Sequence, residues 1–76
     1  MEWRRLSELA PGEQGTLSRI DQAEGMLALM EMGCIVGETI EVRQVAPLGD
    51  PMAVSAGGHV VALRREQAEQ MWVKLH

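Results

Sequence analysis

Seventy-six residues, 46% of them hydrophobic, with a formal net charge of −4, describe one small domain near the lower limit at which a core alone holds a fold. The acidic balance argues against nucleic acid as a partner, and the single cysteine, Cys34, excludes an internal disulfide and fits a reducing compartment. No apolar run approaches the ~18 residues that span a bilayer, and the opening MEWRRLSEL is too polar for a cleavable leader, so the expectation is a cytoplasmic chain, one domain over 1–76, with no membrane insertion.

In LSELAPGEQGTL, Leu6 and Leu9 stand at helical spacing before Pro11-Gly12 forces a turn. A short helical turn leading into a strand near residues 15 to 20 follows. Leu17 and Ile20 would fall on opposite faces of a regular strand, so a bulge or a strong bend is expected there. The next segment, DQAEGMLALMEMG, is the one strong helix signal. Asp21 is placed to cap its N-terminus with Glu24 completing a capping box, and Gly33 supplies the left-handed residue that ends it. Ala23, Met26, Leu27, Met30 and Cys34 match the spacing of a buried stripe. The opposite side, Gly25, Ala28, Leu29 and Met32, is also small or apolar. Either the N-terminal segment with Trp3, Leu6 and Leu9 covers that side, or it is exposed to another protein.

After the turn GCIVGE, TIEVRQV alternates through Ile40 and Val42 and then breaks parity at Gln44 and Val45, a second place for a bulge. APLGDP, residues 46 to 51, reads as a rigid turn with Leu48 between Pro47 and Gly49. MAVSA, the hairpin turn Gly57-Gly58 and HVVALR give two more strands, with His59, Val61 and Leu63 on one face. REQAEQ fits one or two helical turns, and MWVKL alternates as the closing strand. The fold class is therefore mainly β: a small five-stranded barrel, with one helix after the first strand and a short helical turn before the last. With no Phe and no Tyr, aliphatic side chains, Met and two Trp must fill its interior.

Catalytic chemistry finds little support. The two histidines and the cysteine are far apart in sequence, and no glycine loop has the GK[ST] continuation of a phosphate cradle. Met26, Met30, Met32 and Cys34 are soft donors in one segment, but core filling explains them better than a metal does. No catalytic residue, cofactor or metal ligand is assigned. Partner binding has the best physical support, through Pro47, Leu48 and Gly49 at the rigid turn and through Leu29 and Met32 on the outer helix face. The residues leave open whether Leu48 closes the core or is offered outward.

The run MGCIVGETIEVRQVAPLGDPMAVSAGGHVVALRREQAEQMWV resembles the FeoA family, small proteins associated with bacterial ferrous iron transport. Met32-Gly33, Gly37, the strand Ile40-Glu41-Val42, the hexapeptide Ala46 to Pro51, Leu63-Arg64 and Ala68 carry the pattern, and LSELAPGEQGTLSRI is similar to the family's opening. AEGMLALMEMG departs from it, being acidic and apolar where members often carry basic residues. The resemblance implies an SH3-like barrel and a non-enzymatic accessory of the membrane transporter FeoB, contacting its cytoplasmic region. It also brings in a relation to the C-terminal domain of DtxR-like metal-dependent repressors, hence the alternatives of a metal-sensing regulatory module or a self-associating adaptor.

Overall fold

The computed structural model describes residues 2–76, apart from the side chain of Ala23. In chain order the elements are β1 (Trp3–Arg5), a 3-10 turn (Leu6–Glu8), β2 (Gln14–Ile20), α1 (Ala23–Glu31), β3 (Thr39–Val45), β4 (Met52–Ala56), β5 (His59–Leu63), α2 (Arg65–Ala68) and β6 (Met71–Leu75). The strands form one antiparallel sheet in the order β1-β6-β2-β3-β4-β5. All five expected strands are present. The sixth, β1, pairs Trp3 with Lys74 and Arg5 with Trp72; a three-residue strand is too short to show an alternation that sequence could reveal. Because β1 and β5 are both edges, the expected barrel is not closed.

Both breaks in alternation are bulges. Along β2 and β6, Leu17 pairs with Val73 and Arg19 with Trp72, which leaves Ser18 as the extra residue. Leu17 and Ile20 are thereby both buried. Along β3 and β4, Val42 pairs with Val54 and Gln44 with Ala53, so Arg43 is the extra residue. The core then joins Leu17, Ile40, Val42, Val54, Leu63 and Val73 from the sheet to Leu6 and Leu9 from the N-terminal turn. No Phe or Tyr is needed to fill it.

Helix α1 departs from expectation at its N-terminus and meets it at its C-terminus, where Gly33 is the left-handed residue. Gln22, not Asp21, is the N-cap residue, and among the described residues no side chain caps the helix. Asp21 is engaged elsewhere: its Oδ1 accepts from Arg19 Nε at 2.9 Å and its Oδ2 from Trp72 Nε1 at 2.8 Å. At the C-terminus Gly33, with φ of +99°, donates to the Met30 carbonyl at 3.0 Å while Cys34 donates to the Leu29 carbonyl at 2.9 Å. This bond pair is a Schellman motif, which sets the residue after the glycine over the residue five positions earlier. Buried Cys34 therefore carries Leu29 into the core with it.

The buried side of α1 is consequently Leu29, flanked by the half-buried Met26 and Met32. Leu27 is 66% exposed and Met30 44% exposed, so the expected stripe is rotated away from the core at these two positions. Ala23, the first position of that stripe, lies outside the described side chains. Leu6 and Leu9 join Leu29 in the core, while Trp3 stays exposed on β1 and Leu27 and Met30 of α1 are left uncovered.

Candidate functional site

The turn between β3 and β4 is braced from three directions. Gly49 N donates to the Ala46 carbonyl at 2.7 Å, closing a β-turn with Pro47 and Leu48 at its two central positions. Ala46 N donates to the Pro51 carbonyl at 3.0 Å, closing the base of the loop. Asp50 Oδ1 accepts from Arg65 N at 3.1 Å, which fastens the loop to the first turn of α2. The Asp50–Pro51 peptide is cis.

On this frame Leu48 is 89% exposed. It closes no core. The open question about this leucine is thus answered geometrically: an isobutyl group stands in solvent on a turn whose backbone is already ordered. Pro47 is exposed and Gly49 half-buried beside it.

The helix side proposed as a second contact divides. Leu29 is buried, so its assignment to an outer face is corrected, and Met32 is half-buried against the core. Gly25 and Ala28 line a groove of about 380 Å³ between α1 and α2, with Ile20 and Leu29 in its lining and Glu66, Gln67 and Gln70 from the α2 side. The large exposed apolar residues of this region are instead Leu27, Met30, Ile35 and Val36. Sequence reading missed that set because it placed Leu27 and Met30 inward. The glycine-ended motif at Gly33 was the available signal, since it ties the buried Cys34 to Leu29.

Nothing among the described residues resembles a metal centre: no three His, Cys, Asp or Glu side chains converge on a point that could hold an ion. Cys34 is sealed in the core while Met30 is exposed, so these soft donors face different surroundings. Burial pushes the Cys34 thiol above its ordinary pKa, which disfavours the thiolate that a metal or an electrophile would need. No helix among the described residues is long and apolar enough to cross a membrane.

The family described as FeoA domain matches residues 4–75. A relative from Porphyromonas gingivalis, an Fe(2+) transport protein A/Fe(2+) transporter FeoB fusion protein, is 41% identical over 73 residues. That match takes in 93% of this chain but only 8% of the relative's length. The crystal structure of an iron uptake regulatory protein (FeoA) superposes with a TM-score of 0.89 at 29% identity, covering 100% of both chains. A manganese-dependent transcriptional repressor in complex with manganese also superposes, with a TM-score of 0.89 at 22% identity over 100% of this chain and 38% of the repressor. The last likeness is one of fold alone. Six antiparallel strands and two short helices among the described residues make this fold SH3-like.

Proposed function

This chain belongs to the FeoA domain family, and on that footing we propose that it is a non-enzymatic accessory of bacterial ferrous iron uptake, acting in the cytoplasm by contact with the cytoplasmic region of a FeoB-type transporter. The observation that carries the contact reading is Leu48, 89% exposed on a turn held by three hydrogen bonds. An apolar group on a pre-ordered backbone loses little freedom on docking, so most of its desolvation energy is retained as affinity. Leu48 with Pro47 and Gly49 is the proposed anchor. Support for the transporter as the partner comes from the P. gingivalis relative, whose name joins the two proteins in one chain.

The test is co-purification of this chain with the transporter's cytoplasmic region, comparing wild type with Leu48→Asp. Loss of capture with an unchanged thermal midpoint is the expected result. Equal capture by a folded Leu48→Asp chain overturns the anchor. Transporter GTPase rate and iron uptake, measured with and without this chain, then separate activation from scaffolding.

A further inference from the structure

We propose that β5 is a self-pairing edge, through which two copies of this chain join their sheets in antiparallel register about a two-fold axis at Val61. The two edges of the sheet are built differently. Edge strand β1 is only three residues long and carries Arg4 and Arg5, features that discourage pairing with another chain. Edge strand β5, His59–Leu63, has five residues and no Lys, Arg, Asp or Glu.

Its backbone orientation follows from the hairpin. Gly57 and Gly58, with φ of +57° and +82°, form a two-residue turn that closes on the pair Ala56 and His59. In such a hairpin the closing pair is hydrogen-bonded and the pattern alternates along the strand. His59, Val61 and Leu63 therefore direct their N–H and C=O groups toward β4, while Val60 and Ala62 direct theirs away from the sheet. Among the described residues, the outward groups of Val60 and Ala62 find no backbone or side-chain partner.

These four groups are self-complementary. Antiparallel pairing about Val61 sets Val60 of one copy opposite Ala62 of the other, and each such pair exchanges two hydrogen bonds. The side chains match as well. Val60 is 64% exposed and lies with Ala62 on the outer face, opposite Ser55 and Ala53 of β4. Ala53 and Ala62 line a hollow of about 190 Å³ together with Ala46 and Pro51. The two-fold thus brings Val60 of each copy to the hollow beside Ala62 of the other. A knob and a recess two residues apart on one strand, joined by an unpaired ladder, specify a second copy as the occupant. Five residues a side make a small interface, so the dimer is a weak one that forms as concentration rises.

Two measurements test this on the intact chain. Sedimentation velocity across a concentration series reads the monomer–dimer equilibrium, and amide hydrogen exchange reads which groups become covered. Wild type is expected to dimerise with rising protection at Val60 and Ala62, while the amides of Val61 and Leu63 are protected at every concentration. Val60→Lys is expected to abolish the dimer by at least tenfold in affinity, and Val60→Lys/Ala62→Glu to restore it, because the register sets each ammonium opposite a carboxylate. A wild type that stays monomeric overturns the proposal. So does a dimer that leaves Val60 and Ala62 unprotected, or one indifferent to Val60→Lys. Protection of these two amides only on adding the transporter's cytoplasmic region would assign the edge to that partner and equally overturn self-pairing.

Discussion

Trp72 Nε1 donates to Asp21 Oδ2 at 2.8 Å, joining β6 to the entry of α1 across 51 residues of sequence. Asp21 Oδ1 meanwhile takes Arg19 Nε, and the guanidinium groups of Arg5 and Arg19 lie 5.0 and 5.3 Å from the Trp72 ring. The register explains the grouping, because Arg5 on β1 and Arg19 on β2 both pair directly with Trp72 on the strand between them. Asp21 is thus the pin of a cation–aromatic cluster, not a helix cap.

Coupling between Asp21 and Trp72 distinguishes these roles. Asp21→Ala and Trp72→Phe are each expected to lower stability by about 1 kcal/mol through the lost hydrogen bond, and the double variant by less than their sum. Urea unfolding of the four proteins gives the interaction energy directly. A helix cap would produce strictly additive losses, and that outcome would remove the cluster as the reason for Asp21.

Leu29 and Leu27 offer a second contrast, since both are helical leucines two positions apart. Leu29→Ala empties a fully packed site, with an expected loss of about 2–5 kcal/mol. Leu27→Ala removes a side chain that is 66% exposed, and its effect is expected within about 0.5 kcal/mol. Denaturant midpoints of the two variants check the rotation of α1; similar losses at both sites would mean that the helix presents the other face.

Alternation and turn chemistry made most of this fold legible. Strands β2 to β6 follow from their apolar periodicity, and the two breaks in that periodicity, after Leu17 and after Val42, are the two bulges. The helix face was not legible for the opposite reason. Leu27, Leu29, Met30 and Met32 are all apolar, so hydropathy alone does not choose between faces, and the choice is made by the hydrogen bonds around Gly33. The candidate site divides in the same way: a turn could be read from the prolines and Gly49, but the exposure of Leu48 depends on which way the β3–β4 hairpin faces the core. Strand β1 has no local signal, since its pairing depends wholly on β6.

Cys34 gives the chain an alkaline sensitivity of definite sign. Burial raises the thiol pKa in the folded protein, so folding favours the protonated form. Below the unfolded-state value of about 8.5 both states hold the proton and the contribution is fully present. As pH climbs beyond that value the unfolded chain ionises first, and stability falls until the folded thiol ionises too. Wild type is expected to lose more stability than Cys34→Ala between about pH 8.5 and 10. Native alkylation by iodoacetamide at neutral pH should be slow and should accelerate on unfolding. Equal pH slopes for the two proteins would show that the thiol is not desolvated by the fold.

Gly15 and Gly25 respond to the same substitution in opposite directions. A methyl group at Gly15, in β2 against β6, would run into the Lys74 carbonyl oxygen and come within 2.6 Å of Val73 Cγ1. Backbone on one side and a core valine on the other leave it nowhere to go, so Gly15→Ala is expected to destabilise by about 1–3 kcal/mol. Amide shift changes should concentrate in β2 and β6. At Gly25, within α1, an added Cβ meets nothing within 4 Å among the described residues. There alanine improves helix propensity, with an expected gain of about 0.5–1 kcal/mol. Thermal midpoints measured side by side should therefore move apart, down for Gly15→Ala and up for Gly25→Ala. A neutral Gly15→Ala would mean that β2 and β6 can separate at Gly15 without loss, contrary to their close approach there.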